Sequence, residues 1–291
     1  MGDLLNTEYR MQTQAKIYCI IGDPVYQSLS PGMQNAAFNA LGLNCSYIAF
    51  WVPPAELKES IESLRAIKIS GFNVTVPHKI DVINHLDELD ASAKKVRAVN
   101  TVNNIEGILK GYNTDVHGFI EPLHRRGIKF AGMKVLLLGA GGAARAVIAG
   151  LSDEKGISRL IISNRTEHRA AQLGEMARDL GFEYSIIKLQ DARNVSKECD
   201  LIVNASSMGM GDGESIIDYE HIRKDSIVYD IVHKPVRTNL LENAKYAGAT
   251  VIYGYEMLLE QGAKAFEIWT GIPAPRDVMK KNLLGMYGEP V

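Results

Sequence analysis

Lys134-Val135-Leu136-Leu137-Leu138-Gly139-Ala140-Gly141-Gly142-Ala143-Ala144-Arg145 is the stretch that decides the fold of this chain. Its apolar opening, Val135 to Leu138, reads as a short strand buried on both faces. An Ala-rich helical pattern follows the glycines, and then a second apolar strand, Arg159 to Ser163. Strand, glycine turn, helix, strand is the setting in which a glycine cluster marks a dinucleotide site rather than a flexible turn. Gly139 permits the tight turn, and Gly141 lets a pyrophosphate approach the backbone. Ala144 is small enough for the helix to pack closely on the strand. The helix N-terminus offers unpaired N–H groups and a positive dipole end. Gly139, Ala140, Gly141, Gly142 and Ala143 are therefore the expected cofactor-binding turn.

The end of the next strand narrows the choice of dinucleotide. An Asp or Glu about 20 residues after the glycines grips the ribose 2′-hydroxyl in NAD-binding chains. Here that strand ends in Asn164-Arg165-Thr166, with Arg169 one turn further on. Guanidinium forks match phosphate oxygens, and two arginines at a helix N-terminus sit against the dipole unless an anion joins them. The pattern points to NADP rather than NAD.

Bulk properties agree with an ordinary soluble globular protein. The chain has 291 residues, which exceeds one typical core and implies two domains. Its 46% apolar and 23% charged content are ordinary for a globular protein. A formal net charge of -2 gives no reason to expect a nucleic-acid or membrane partner. The longest apolar runs are too short to span a bilayer. Residues 1–14 are polar, lack the apolar centre of a signal peptide, and read as a loosely ordered extension. Cys19, Cys45 and Cys199 are few and far apart, which fits a reducing cytoplasm.

Ahead of the glycine turn, strands and helices alternate. Lys16 to Ile21 reads as a strand, and Ser30-Pro31 as the capped start of a helix whose buried face carries Met33, Ala37 and Leu41. Cys45 to Val52 and Ser70 to Val76 are further strands, separated by a helix with Leu57, Ile61 and Leu64 inward. Helical segments follow near Ile80 to Leu86 and Ala91 to Val96. Val99 to Asn103 and Ile108 to Tyr112 form a hairpin around Glu106-Gly107. Asp115 opens a helix that carries Pro122, with a kink expected there, and stops at Gly127. Six strand candidates then begin near Lys134, Arg159, Glu183, Leu201, Ile227 and Thr250. Six such units make a doubly wound, Rossmann-type domain. After Gly254 the pattern is helical to the end, with no strand of its own, so these helices should return to the first domain. The expectation is an α/β chain of two domains. Residues 15–115 with 255–291 form a substrate domain with a mixed sheet, and residues 116–254 form the doubly wound NADP domain.

The reacting groups must come from the first domain. Lys79 lies just past a strand's C-terminal edge, where open α/β sheets place ligands, and Asp115 sits at the crossover between domains. A lysine beside an aspartate stays charged and oriented toward an alkoxide or ketone oxygen. The plainer readings are a solvated lysine and a helix-capping aspartate. Ser28, Ser30, Asn73, Thr75 and Asn100 crowd the same edge, and such hydroxyls and amides suit a carboxylated polyol. No metal is expected, since the seven histidines lack ligand spacing and His117 and His124 read as helix-surface residues.

These stretches, in order, make the chain resemble the shikimate dehydrogenases, which reduce 3-dehydroshikimate to shikimate with NADPH on the route to aromatic amino acids. Ser28-Leu29-Ser30-Pro31 resembles the family's serine pair for the substrate carboxylate, and Asn73-Val74-Thr75-Val76-Pro77-His78-Lys79 its most specific signature. Ala98-Val99-Asn100-Thr101 and Asn113-Thr114-Asp115 are similar to the segments carrying its substrate asparagine and catalytic aspartate. Gly254, Met257, Leu258 and Gln261 resemble its C-terminal motif. The resemblance implies Lys79 and Asp115 as catalytic residues. It also implies substrate contacts from Ser28, Ser30, Asn73, Thr75, Asn100 and Gln261, and a nicotinamide near Ile231 and Gly254 in an interdomain cleft that closes to exclude water. Arg97 and Val116 stand where the family commonly has glycine, and His233 where it has a substrate-contacting tyrosine. A quinate/shikimate dehydrogenase would use the same fold and residue pair, and a non-catalytic NADP(H)-sensing regulator could retain the fold alone. The resemblance further implies a monomer or homodimer.

Overall fold

β1 (Lys16–Gly22) is built from β-branched and aromatic residues and is buried from Tyr18 onward. It leads through α1 (Ser30–Ala40) to β2 (Cys45–Trp51), and through a 3₁₀ turn and α2 (Leu57–Ala66) to β3 (Gly71–Val74). These belong to a computed structural model that describes residues 15–211 and 215–288; the expected extension over residues 1–14 lies outside them. Both neighbours of β1 run parallel to it, as strand–helix alternation requires. Then come β4 (Glu88–Leu89), α3 (Ala91–Val96), β5 (Thr101–Ile105) and β6 (Ile108–Tyr112). β5 pairs antiparallel with β3 and with β6, so the sheet, ordered β2-β1-β3-β5-β6-β4, is mixed as expected. The hairpin turns on Glu106 (φ 53°) and Gly107 (φ 93°), the left-handed pair of a two-residue loop.

Several local expectations shift. Ser30 does not cap α1: it is the first helical residue, and Leu29 occupies the cap position in helical conformation. The free N–H of Ser30 is instead taken by the Ser28 hydroxyl at 3.3 Å. Leu41 is exposed because the helix ends at Ala40, and Phe38 fills the buried face beside Met33 and Ala37. β3 stops at Val74, two residues early, where a turn closed by His78 N–H on Thr75 O takes over. β5 starts at Thr101 rather than Val99, because the Val99 N–H donates to Lys79 O outside the ladder. Arg97 ends α3 at φ 57°, a left-handed conformation that glycine adopts more easily.

α4 (Asp115–Arg125) begins the second half of the chain. Next come β7 (Lys134–Leu138), α5 (Gly142–Leu151), β8 (Arg159–Ser163), α6 (Glu167–Asp179) and β9 (Tyr184–Ile187). They are followed by α7 (Ala192–Val195), β10 (Leu201–Asn204), β11 (Ile227–Asp230), α8 (Asn239–Ala247), β12 (Thr250–Ile252) and α9 (Gly254–Thr270). All six strands are parallel, in the order β12-β11-β10-β7-β8-β9. This is the doubly wound order, which reverses between β7 and β10. β10 and β11 are buried along their whole length, as strands between two helical layers must be.

The chain groups into two units, one running through Thr114 and resuming at Gly262, the other Asp115–Gln261. Asp115 and residues 255–261 thus group with the doubly wound unit. From Gly262 onward, α9 and then α10 (Arg276–Tyr287) add to the first unit. The Trp269 ring stacks on Tyr18 at 5.0 Å, and its Nε1 donates to Val102 O at 2.9 Å. Gly71 is obligatory there, since a Cβ would lie 2.4 Å from that nitrogen.

Pro122 sits inside α4 and cannot donate to the carbonyl of Gly118, four residues back. The buried Tyr229 hydroxyl donates to that carbonyl instead, at 3.4 Å, while its ring stacks on Phe119 at 5.1 Å. Tyr229→Phe should therefore leave Gly118 O unsatisfied and lower the unfolding free energy by about 1–2 kcal/mol in urea melts. In a Pro122→Ala background, where the helix regains its own donor, the same change should cost less. Equal costs in the two backgrounds would refute this account.

Candidate active site

The first unit brings its expected polar residues onto one connected floor. The Tyr47 hydroxyl donates to Asn73 Oδ1 at 2.6 Å and takes a hydrogen bond from Ser30. Asn73 Nδ2 donates to Asn100 O at 3.0 Å and to Thr101 Oγ1 at 2.9 Å. Asn100 Oδ1 accepts from the Thr114 N–H at 2.7 Å, and its Nδ2 donates to Thr114 Oγ1 at 3.0 Å. The floor thus runs from the start of α1 through Tyr47 within β2 and Asn73 near the end of β3 to the residue before Asp115. Asn73, Asn100, Thr101 and Thr114 are all buried, so each amide and hydroxyl must be paired, and a satisfied network of this kind is rigid. Burial holds the Tyr47 hydroxyl well above its ordinary value, so it remains a donor.

Lys79 is half-buried on a loop tied at three points. The Thr75 N–H donates to Ile21 O at 2.9 Å, and the buried His78 ring bonds Val52 O through Nε2 at 2.7 Å. Lys79 O itself accepts from the Val99 N–H at 2.7 Å. The backbone under the lysine is therefore fixed. Ser28 and Thr75 are half-buried beside these ties. Sequence reasoning missed Tyr47, Thr101 and Thr114 as members of the floor. It also missed Asn35, whose amide accepts from Tyr47 N and donates to Tyr47 O, both at 2.8 Å. Polar residues at strand ends were the available signal, but only the fold pairs residue 35 with 47.

In the second unit the glycine turn has the geometry of a phosphate cradle. Gly139 has φ 105°, and a Cβ on it would lie 2.7 Å from Ala205 O. A Cβ on Gly141 would meet nothing within 4 Å, so the space above that backbone is open. Gly141 is the N-cap of α5 and no side chain caps the helix, which leaves its first N–H groups to a ligand. At the end of β8, Asn164 Nδ2 donates to Thr166 O at 2.9 Å, and Thr166 starts α6 without a side-chain cap. Arg165 and Arg169 are exposed, and among the described residues neither forms an ion pair. An open cradle, uncapped N–H groups and two guanidinium groups without an ion pair among the described residues fit a dinucleotide carrying a 2′-phosphate.

The segment after β11 is held by Asp230, which sequence reasoning had not singled out. Its buried carboxylate accepts from Asn204 Nδ2 at 2.9 Å, Val232 N at 3.0 Å and Thr238 Oγ1 at 2.6 Å. Burial pushes this carboxyl up to about 6 despite those three donors. Ile231 and Gly254 come together, since a Cβ on Gly254 would lie 2.4 Å from Ile231 O. His233 is half-buried, and burial with help from Lys234 lowers its ring below the ordinary histidine value, which keeps it neutral at pH 7. Gln261 is half-buried with its Nε2 donating to Leu258 O at 2.9 Å, and Asp115 is the buried first residue of α4. A carboxylate at that helix end is favoured by the dipole. His124 pairs with Glu154 at 2.7 Å, whereas His117 is half-buried rather than on the surface. Among the described residues no group of three or more His, Cys, Asp or Glu could hold a metal.

Three family descriptions match the chain: shikimate dehydrogenase substrate binding domain over residues 20–102, shikimate/quinate 5-dehydrogenase over 123–226, and shikimate 5′-dehydrogenase C-terminal domain over 254–284. The shikimate dehydrogenase (NADP(+)) of Nitrosopumilus maritimus is 48% identical over 94% of this chain and 99% of its own length. The crystal structure of Thermus thermophilus shikimate 5-dehydrogenase in complex with NADP(H) and shikimate is 36% identical, with a TM-score of 0.82 over 92% of this chain and 98% of that one. The quinate dehydrogenase of Corynebacterium glutamicum in complex with NAD has a TM-score of 0.86 at 27% identity, over 93% of this chain and 99% of that one.

Asp230 has a higher pKa folded, about 6, than the 3.8 of an unperturbed aspartate. Its protonation therefore favours the native state: the contribution is complete below the unfolded value and is lost as pH rises through about 6. The stability of Asp230→Asn relative to wild type should climb by about 1–3 kcal/mol between pH 4 and pH 7 in thermal or urea melts. A flat difference across that range would show that the carboxyl does not titrate as described.

Proposed function

The chain belongs to the shikimate dehydrogenase family, and from that premise we propose that it reduces 3-dehydroshikimate reversibly to shikimate as an NADP-dependent oxidoreductase. The observation that carries this reading is the joint presence of a paired, buried polar floor running to Thr114, the residue before Asp115, and a dinucleotide turn whose ribose end bears Arg165 and Arg169 instead of an acid. When bound, NADPH supplies the hydride. Gly139, Ala140, Gly141, Gly142 and Ala143 would hold its pyrophosphate, Asn164, Arg165, Thr166 and Arg169 its 2′-phosphate, and Ile231 and Gly254 would line the nicotinamide.

The chain's own residues do the rest. Lys79 gives a proton to the C3 oxygen as that oxygen gains charge and takes it back in the reverse direction, with Asp115 orienting the lysine and sharing the proton. Ser28 and Ser30 anchor the substrate carboxylate, braced through Tyr47 and Asn73. Thr75, Asn100, Asp115 and Gln261 hold the ring hydroxyls, and His233 adds a neutral imidazole to the substrate side. We place the protein in the cytoplasm, as a monomer or homodimer acting on small molecules. Three free thiols support that compartment, and no helix among the described residues is long and apolar enough to cross a membrane.

Lys79→Ala should lower kcat by about 10²–10⁴-fold while NADPH still binds with unchanged affinity in a fluorescence titration. Wild-type turnover in that variant would remove Lys79 from its role. Initial rates with shikimate and quinate, each with NADP+ and NAD+, should be fastest for shikimate with NADP+. A preference for quinate would overturn the substrate assignment, and absence of any shikimate-dependent NADPH formation would leave only a binding protein.

A further inference from the structure

We propose that Lys188 is a third cationic contact for the cofactor's 2′-phosphate, one that sharpens discrimination between NADP and NAD; this rests on the NADP reading above. β8 and β9 are parallel neighbours whose last paired residues are Ser163 and Ile187. One step on, Asn164 and Lys188 leave the sheet side by side, on strands about 4.8 Å apart. Lys188 is thus next to the ribose end of the cradle, although 24 residues separate it from Asn164 in sequence and no glycine or arginine motif includes it.

The backbone at Lys188 is held in place. It is extended (φ −69°, ψ 152°), and its carbonyl accepts from Asp191 N–H at 3.0 Å to start a 3₁₀ turn over Leu189–Asp191. The side chain is exposed and, among the described residues, makes no ion pair. Arg178, Arg223 and Lys245 of the same unit, by contrast, each pair with a carboxylate, whereas the cations at the ends of β8 and β9 do not among the described residues. Glu167 and Asp191 are the acids in the flanking first turns, and neither pairs with Lys188, Arg165 or Arg169. Among the described residues, three positive groups without an ion pair therefore stand at the ends of the adjacent strands β8 and β9, an arrangement that repels itself until an anion binds.

A phosphate monoester carries nearly two negative charges at neutral pH and is the part of NADP that NAD lacks. Two planar guanidinium forks suit its oxygens in fixed directions. A lysine adds a point charge on a flexible stem, which can follow the phosphate from the adjacent strand. Because the contact is exposed and screened by salt, its effect should be moderate and sensitive to ionic strength.

The test is calorimetric binding of adenosine 2′,5′-bisphosphate and of 5′-AMP to wild type and to Lys188→Met, which keeps the stem and removes the charge. Affinity for the bisphosphate should fall about three- to tenfold, with 5′-AMP affinity changed less than about twofold. The ratio of kcat/KM for NADPH to that for NADH should fall to match, and Lys188→Arg should restore both. Equal losses for the two ligands would show a structural role and overturn the proposal. No loss in Lys188→Met, while Arg165→Ala weakens the bisphosphate, would overturn it and leave the arginine clamp standing. No loss in either variant would overturn the 2′-phosphate reading itself.

Discussion

A turn with no room for a side chain governs the second unit. Gly139 leaves β7 at the point where the sheet order reverses, in a left-handed conformation with the backbone of Ala205 directly against it. With any Cβ there, the turn and the end of β10 would have to separate. Because they do not, α5 starts immediately, and its uncapped N–H groups face open space above Gly141. The helix start and the phosphate cradle thus follow from one close backbone approach. The same device recurs at Gly254, pressed against the carbonyls of Ile231 and Val232.

The first unit relies on a different constraint, the requirement that buried polar groups be paired. Placing Asn73, Asn100, Thr101, Thr114 and the Tyr47 hydroxyl out of water would be costly if any were left without a partner. Here they satisfy one another, so the floor is stiff, and the side chains nearest solvent, Ser28, Thr75 and Lys79, stand on fixed supports. A site built this way loses little freedom when a small, heavily hydroxylated ligand binds. His78 illustrates the principle: a ring in the most recognisable motif of the chain serves to tie the lysine loop to the end of β2.

Much of this was legible in the linear chain. Continuous apolar runs, glycine placement and helical periodicity located the strands, the cofactor turn and the mixed first sheet, because each is a local demand on a few adjacent residues. Errors arose where a neighbour outside the window decided the outcome. β5 began late because Val99 is hydrogen-bonded to Lys79, and Ser30 missed its cap role because the chain turned helical one residue earlier. Pro122 looked like a kink without a reason, and Tyr229, more than a hundred residues away, supplies the missing donor.

The amino-acid sequence by itself determined the class of fold, the dinucleotide turn, the absence of a ribose acid at Asn164 and the candidate pair Lys79 and Asp115. All of these depend on residue type and short spacing. Only the tertiary structure decided that Asn35 brackets Tyr47, that Tyr47 joins Ser30 to Asn73, that Asp230 holds the segment bearing His233, and that Lys188 stands beside Asn164. Hydrogen bonding and strand register act between residues far apart in the chain, and no local pattern encodes which distant partner a buried polar group will find.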